Sequence, residues 1–553
     1  MYDKIVNQCE NLWLRENYNL SGYSTILWCT TNQEYDYYET DYLHTLFWIV
    51  TFLILGIVTI ATALDIKQNN EDSLDYYKVE RRDLPKSQQC LLCFSLVRNW
   101  YRLVAPPKTE VGRDLRFVLT IRYLTTLIVV MGHVWIAYSM TPAKNTEFVE
   151  SSYYSIIYIF ANCATNIVQT FFVASGVLLY ISIHEFFKEG VLNIGNAATA
   201  FIYRYIRLTP TLAYLILYHA TYLFHSGSGG YWKFVGETSQ TYCRRNWWTN
   251  LLYINNYVNS NQMCIPTTWY LSADTHLFLF SLCLLLIIFK YPKLKKIVMG
   301  LAILASCVTQ FLVTYLNKFD GGQHVFSPET KRFLYDNENK ELEKDYFASH
   351  MNAGNFLIGI CLAMTYFHFK ENKIDMSKYK WFIVLWYITP VIGFFTVVVH
   401  GYTFFHNYFE VPSIGLTILS MFTRQIWGIF GIILVLGFIA SFRSPIKNFF
   451  NWPVFTPLSR LTYGIYLVHV TIASIVFAQS SIISYFMGWS FLTESVALFV
   501  LSNFAALILG LCIEFPLTAL SKILLRKNKK ERKFIKDEIN GHAAELKKFT
   551  SRI

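Results

Sequence analysis

Charge is what this sequence lacks most. Asp, Glu, Lys and Arg make up 15% of its 553 residues, while 54% are hydrophobic; a soluble domain carries about 25% charged residues. A chain this long and this poor in charge cannot hide its apolar side chains in one soluble core. Its apolar runs are also longer than core helices need. Metal-ligand spacing is absent too. The eleven cysteines are scattered, and Cys90-Leu-Leu-Cys93 has no second pair or histidine partner after it, so no metal site is expected. Packing at a membrane face, or acylation of those thiols, fits better. No Gly-x-Ser-x-Gly elbow surrounds Ser175, which argues against it as a covalent nucleophile. The first residues show no basic stretch followed by a short apolar one, so no cleavable signal peptide is expected.

What is present is a succession of long apolar stretches. They predict an all-α polytopic membrane protein with about eleven transmembrane helices, near 43–64, 115–138, 156–183, 208–224, 269–289, 297–316, 353–369, 381–400, 414–442, 461–486 and 491–520. The net charge is +11, but the positive residues crowd into loops beside the spans and into the tail. That is the positive-inside pattern, not a nucleic-acid surface, so no nucleic-acid partner is expected. Segment 65–112, rich in Lys and Arg, reads as a cytoplasmic linker. The N-terminal region 1–42 is then outside, and the basic tail 526–553 is cytoplasmic, resting on anionic lipid. Within the linker, 91–104 reads as a helix lying at the membrane surface. The stretch 225–268 is mildly basic and disagrees with this orientation; the sum of the loops favours it.

An outside location makes three modifications readable. Asn19-Leu20-Ser21 is a glycosylation sequon. Cys9 with Cys29, and Cys243 with Cys264, become candidate disulfides; the second would staple a loop beside the span that begins at Trp269.

Five polar features interrupt the apolar runs. Arg122 and His133 lie in one span, eleven residues apart. At about 100° per residue they project from nearly one face, about 16 Å apart along the axis. Ionisable groups at such depth mark functional sites, although a helix-packing pair satisfied by backbone carbonyls is the alternative. Asp274, in Trp269-Tyr270-Leu271-Ser272-Ala273-Asp274-Thr275-His276, sits at a depth similar to His133, where a carboxylate would orient an imidazole; outer water is the alternative surrounding. Phe171-Phe172-Val173-Ala174-Ser175-Gly176 offers small residues, either for helix contact or as the wall of a ligand passage. Tyr203-Arg204-Tyr205-Ile206-Arg207-Leu208 puts two arginines on one helix face at the inner mouth, suited to phosphates or to lipid headgroups. Arg424, His469 and Glu514 are the remaining intramembrane ionisable residues, and the sequence does not say which partners which.

Together, Arg122-x10-His133, FFxxSG, RYxRLxP, WYLxxD, Ser459-Arg-Leu-Thr-Tyr-Gly-Ile-Tyr-Leu-Val-His469 and Glu514-Phe-Pro resemble the acyltransferase-3 family, in the right order over about 113–525. The variant is similar to the nose-resistant-to-fluoxetine proteins of invertebrates. The resemblance implies a ten-helix membrane domain at 113–525, preceded by one transmembrane helix at 43–64. It implies acyl transfer from a cytosolic acyl-CoA co-substrate to an acceptor on the extracellular or luminal side. It assigns His133, Asp274 and Arg122 to catalysis, and Arg204, Arg207, Ser175 and Gly176 to donor binding. Two departures stand out. Gln169 occupies a place where relatives often hold an acid. The region 1–42 is short, so either part of it is lacking or the first span serves as the membrane signal.

On this reading neutral His133 is the general base that takes a proton from a hydroxyl or amine acceptor. The partners are the lipid bilayer, acyl-CoA and an acceptor that is a lipid, glycan or small molecule. The rival reading is a transporter or lipid- and xenobiotic-handling protein, because intramembrane His, Arg and Asp also build translocation paths. The lack of paired half-length helices or a clear inverted repeat argues mildly against that.

Overall fold

The computed structural model describes residues 2–22, 40–69, 74–79, 81, 83–107, 109–141, 144–152, 154–155, 164–186, 192–322, 340–406, 410–479 and 485–525. Cys29, the start of the 156–183 stretch and the tail 526–553 lie outside these, and so does a Cys9–Cys29 pairing.

Among the described residues every regular element is helical. Helix α1 (Tyr2–Tyr18) precedes the apolar stretches. Helix α2 (Tyr42–Lys67) starts where Asp41 caps it, its carboxylate accepting from the Leu43 and His44 amides. The linker folds into the short helices α3 (Lys86–Leu92) and α4 (Leu96–Val104). The bundle follows as α5 (Arg116–Met140), α6 (Gln169–Phe186), α7 (Ile194–Ala220), α8 (Gly230–Leu251), α9 (Trp269–Lys290) and α10 (Lys295–Leu316). It continues as α11 (Ala353–Glu371), α12 (Lys380–His406), α13 (Ile414–Ile439), α14 (Thr462–Ala478), α15 (Gly488–Leu509) and α16 (Phe515–Leu524). Among the described residues, eight helices are long and apolar enough to cross a membrane. The three other expected spans are helical as well, as α7, α11 and α14, but they are more polar or shorter. The protein is an all-α polytopic membrane protein.

Two expectations need correction. The stretch 225–268 is not simply a loop: α8 runs through it for 22 residues. Cys243 on α8 is bonded to Cys264, just before α9. Helix α7 begins at residue 194, fourteen residues before the expected 208. Asn193 caps it, accepting from the Asn196 amide at 2.8 Å, and helix-compatible Ala, Phe, Ile and Tyr carry it past both arginines. Arg204 and Arg207 therefore lie well inside the helix and not at its inner mouth.

Glycines fix the closest helix contact. A Cβ on Gly176 of α6 would stand 2.1 Å from the Phe356 carbonyl oxygen, and one on Gly359 of α11 would stand 2.1 Å from that of Val173. The two backbones touch, as small residues permit between membrane helices. Gln169, at the start of α6, joins the same pair of helices: it donates to Asn352 at 2.7 Å and accepts from Asn355 at 2.9 Å. Arg424 of α13 is buried against Asp345, so that intramembrane cation belongs to a polar core behind α6.

The linker is built onto the bundle. Buried Arg98 forks onto Asp65 at the end of α2, with contacts of 2.9–3.0 Å, and donates to the Val79 carbonyl at 2.8 Å. Asn99 donates to the carbonyl of Leu511 at 3.1 Å, within a π-turn at Gly510–Glu514. Helix α4 thus buries Arg98, Asn99 and Leu103 against protein while Trp100 and Val104 face outward. The end of the bundle carrying this segment is called the linker end below; the other is the disulfide end.

Candidate functional site

Helices α5, α7, α9 and α14 surround a cavity of about 2770 Å³. Its wall begins at the linker end with Lys78, Arg81, Arg102 and Lys522 and reaches Tyr231, Phe234, Ser239 and Tyr242 near the disulfide end. The charge is unevenly spread. Nine Lys or Arg residues line it against three Asp or Glu. From Asp274 toward the disulfide there is no Asp, Glu, Lys or Arg in the wall.

Both His133 and Arg122 line this cavity from α5. The partner of His133 is a second histidine. His469 Nε2 lies 3.3 Å from His133 Nδ1, and the rings meet edge to face, centroids 4.8 Å apart. Each Nδ1 also faces the carbonyl oxygen one helical turn earlier: Val129 for His133 at 2.9 Å and Ile465 for His469 at 3.0 Å. A carbonyl only accepts, so in the neutral rings the proton of each sits on Nδ1. His469 Nε2 is then an acceptor for the His133 Nδ1–H, and His133 Nε2 carries a free lone pair. That is the tautomer a general base requires.

Asp274 does not orient His133. It forms an ion pair with Arg204 of α7, because the longer α7 carries Arg204 to the depth of the first turns of α9. The Arg204 guanidinium also stacks over the Phe278 ring, 4.8 Å from its centroid. Arg207, half exposed to the cavity, has Glu514 as its nearest carboxylate at 3.8 Å. Glu514 closes the π-turn at Gly510–Glu514, and such turns gather at functional sites. Arg122 has no ion pair among the described residues. The three intramembrane groups left unpaired by the sequence thus find partners: Arg424 with Asp345, His469 with His133, and Glu514 with Arg207.

The small-residue pair splits. Ser175 lines the cavity, its hydroxyl 3.4 Å from that of Tyr270, whereas Gly176 is turned into the contact with α11. Gln169 is likewise tied into that contact and does not line the cavity. Tyr270 and Tyr466 are site residues that sequence reasoning missed. Their rings lie 5.7 Å apart in the cavity wall, and Tyr466 is 6.2 Å from the His469 ring. Their only signal is position, four residues before Asp274 and three before His469, which places each on the face of its neighbour. His219, also in the wall, bonds Ser239 and Thr471 through its two nitrogens at 2.9 and 2.8 Å, so both are occupied.

A family model described as an acyltransferase domain, acyltransferase-3, matches residues 117–513. The chain is similar to "Nose resistant to fluoxetine protein 6" of Caenorhabditis elegans, with 24% identity over 406 residues, covering 68% of this chain and 47% of the relative. The chain therefore spans about half the length of that curated relative. No solved structure matches the chain.

Proposed function

The chain belongs to the acyltransferase-3 family, and from that premise we propose that it moves an acyl group from acyl-CoA, entering at the linker end, to a hydroxyl or amine acceptor at the disulfide end. The observation that carries this reading is the His133–His469 pair, set in the wall of a cavity whose Lys and Arg residues extend from the linker end no farther than the Arg204–Asp274 pair. A polyanionic donor favours the basic half; an uncharged acceptor favours the other. The basic loops support a cytosolic linker end and an N-terminus outside.

His133 Nε2 takes the proton of the acceptor O–H or N–H as that atom attacks the thioester carbonyl. A C–O or C–N bond forms, the C–S bond breaks, and the thiolate recovers the proton from the imidazolium. His469 holds the ring by accepting from Nδ1–H and shares the positive charge while it lasts. Arg122, about 16 Å along the helix from His133, is too far to act at the carbonyl; it and Arg207 attract the donor phosphates. Arg204, engaged by Asp274, shapes the passage between them.

The test is acyl transfer by purified His133→Ala protein of verified fold. Loss of transfer with donor binding retained supports the base; unchanged transfer overturns it. The reach of the cavity wall from one end of the bundle to the other favours a second reading, passage of a lipid or small molecule. Flux of labelled substrate across vesicles with no covalent change would establish that reading instead.

A further inference from the structure

The acyltransferase match begins at residue 117, but the cavity wall does not. Tyr77, Lys78, Arg81, Tyr101 and Arg102, all in the preceding segment, continue it at the linker end. That segment is held in a fixed place. Besides the Arg98–Asp65 fork, Arg460 donates to the carbonyls of Arg102 and Leu103 at 2.7 and 2.6 Å, closing the end of α4. Arg102 is steadied by the Cys93 carbonyl and the Asn99 side chain at 3.0 and 2.6 Å.

The groups of this frame that line the cavity form a set. The rings of Tyr77 and Tyr101 are parallel to within 5°, with centroids 6.2 Å apart. The Lys78 ammonium stands 5.8 Å from the Tyr101 ring centre. Lys78 pairs with Asp75 in the open, and half-buried Arg81 forks onto the exposed carboxylate of Asp83; a doubly charged phosphate competes with a singly charged carboxylate for both cations. Flat aromatic faces beside cations suit a purine bearing phosphate.

Distance links this set to the reaction. His133 lies seventeen residues into α5 from Arg116, about 25 Å along the axis. A thioester at His133 must lay its carrier back along that depth. An extended phosphopantetheine arm covers most of that depth and the diphosphate carries the chain farther, so the nucleotide end emerges where the linker segment forms the wall.

We propose that Tyr77, Lys78, Arg81 and Tyr101 of the linker form a docking subsite for the nucleotide end of the donor, with its 3′-phosphate on Lys78 and Arg81 and its adenine against Tyr77 and Tyr101. The linker is then part of the donor site, although it lies outside the matched domain. This rests on the acyl-CoA reading above.

The experiment measures binding of CoA, 3′-dephospho-CoA and 4′-phosphopantetheine to the purified full-length protein in detergent. The wild type is compared with Lys78→Gln/Arg81→Gln and with Tyr77→Leu/Tyr101→Leu, thermal unfolding being followed for each. The wild type is expected to prefer CoA to dephospho-CoA by about tenfold. The charge variant is expected to bind the two alike, with phosphopantetheine affinity unchanged. The tyrosine variant is expected to weaken CoA and dephospho-CoA together, by about tenfold, and to leave phosphopantetheine unchanged. A CoA preference that survives in the charge variant overturns the subsite while leaving the donor reading intact. So does loss of charge-variant affinity only toward vesicles containing phosphatidylglycerol, which would make the set a lipid-headgroup site. Absence of wild-type binding to all three ligands removes the donor reading, and the subsite with it.

Discussion

His133 and His469 lie 336 residues apart in the chain and meet at 3.3 Å across the interface of α5 and α14. Each imidazole is held by its own helix through a carbonyl one turn earlier, so the pair is set by two rigid backbones. His133→Ala should lower kcat by about 10²–10⁴-fold, the usual worth of a general base. His469→Ala should have a smaller effect, about tenfold, because Val129 still holds the His133 tautomer. It should fall on kcat and spare KM. His469→Gln keeps an acceptor and should recover most of the rate. Steady-state kinetics on folded protein reads all three, and a His469→Ala effect confined to KM would remove its positioning role.

Arg204 and Asp274 neutralise each other within the bundle. Removing only one leaves the other ionised in a poor solvent, so Asp274→Ala should cost about 3 kcal/mol of stability. The double variant Arg204→Met/Asp274→Leu replaces the pair with apolar bulk and should regain most of that. Denaturation in detergent measures the first effect, and transfer activity of the double variant decides the second. Restored stability with activity still lost assigns the pair to the passage; restored activity assigns it to packing.

Gly176 and Ser175 are neighbours with opposite tasks. Gly176→Ala places a methyl against the Phe356 carbonyl, and a backbone atom cannot swing aside. The helices α6 and α11 must separate, at about 1–3 kcal/mol, and the melting temperature should fall. Ser175→Ala changes only a cavity-facing hydroxyl and should alter stability by less than about 0.5 kcal/mol, so any effect of it should appear in substrate affinity.

The helices were legible in the sequence because hydropathy sets the spans and each ends in recognisable polar residues. Arg122 and His133 were legible because eleven residues of helix return to one face. What the sequence does not contain is rotation between helices. Depth alone set Asp274 beside His133, but depth is one coordinate of three, and Arg204 takes Asp274 from another side. The span expected at 208 covers only the apolar part of α7; the cavity supplies the polar surroundings in which the arginines lie deep within that helix. The linker looked like an amphipathic surface segment, and amphipathicity does not say whether protein or lipid covers the apolar face. Here protein takes the side that carries Arg98, received by Asp65, while Trp100 and Val104 face outward.

Acid should loosen the first membrane helix from the rest. Burial alone would raise the Asp41 pKa, but the hydrogen bond from His44 and the nearby Arg244 guanidinium outweigh it and hold this carboxyl below its ordinary range. Asp41 also receives Arg244 of α8 at 2.8 Å, tying the start of α2 to the disulfide-bonded helix. A depressed folded-state pKa means that the ionised carboxylate contributes stability above its unfolded value, about 3.9. That contribution fades as pH falls from there through the lower folded value. Trp48, one turn further along α2, donates from its indole to Tyr222 of the same junction and reports on it. Its fluorescence, isolated by comparison with Trp48→Phe protein, should hold steady from pH 7 to about 5 and change only below about 4. In Asp41→Asn, which retains a helix cap but no charge, the acid transition should vanish and the neutral-pH signal should already be partly shifted. A transition that persists unchanged in Asp41→Asn would place the acid sensitivity on another group.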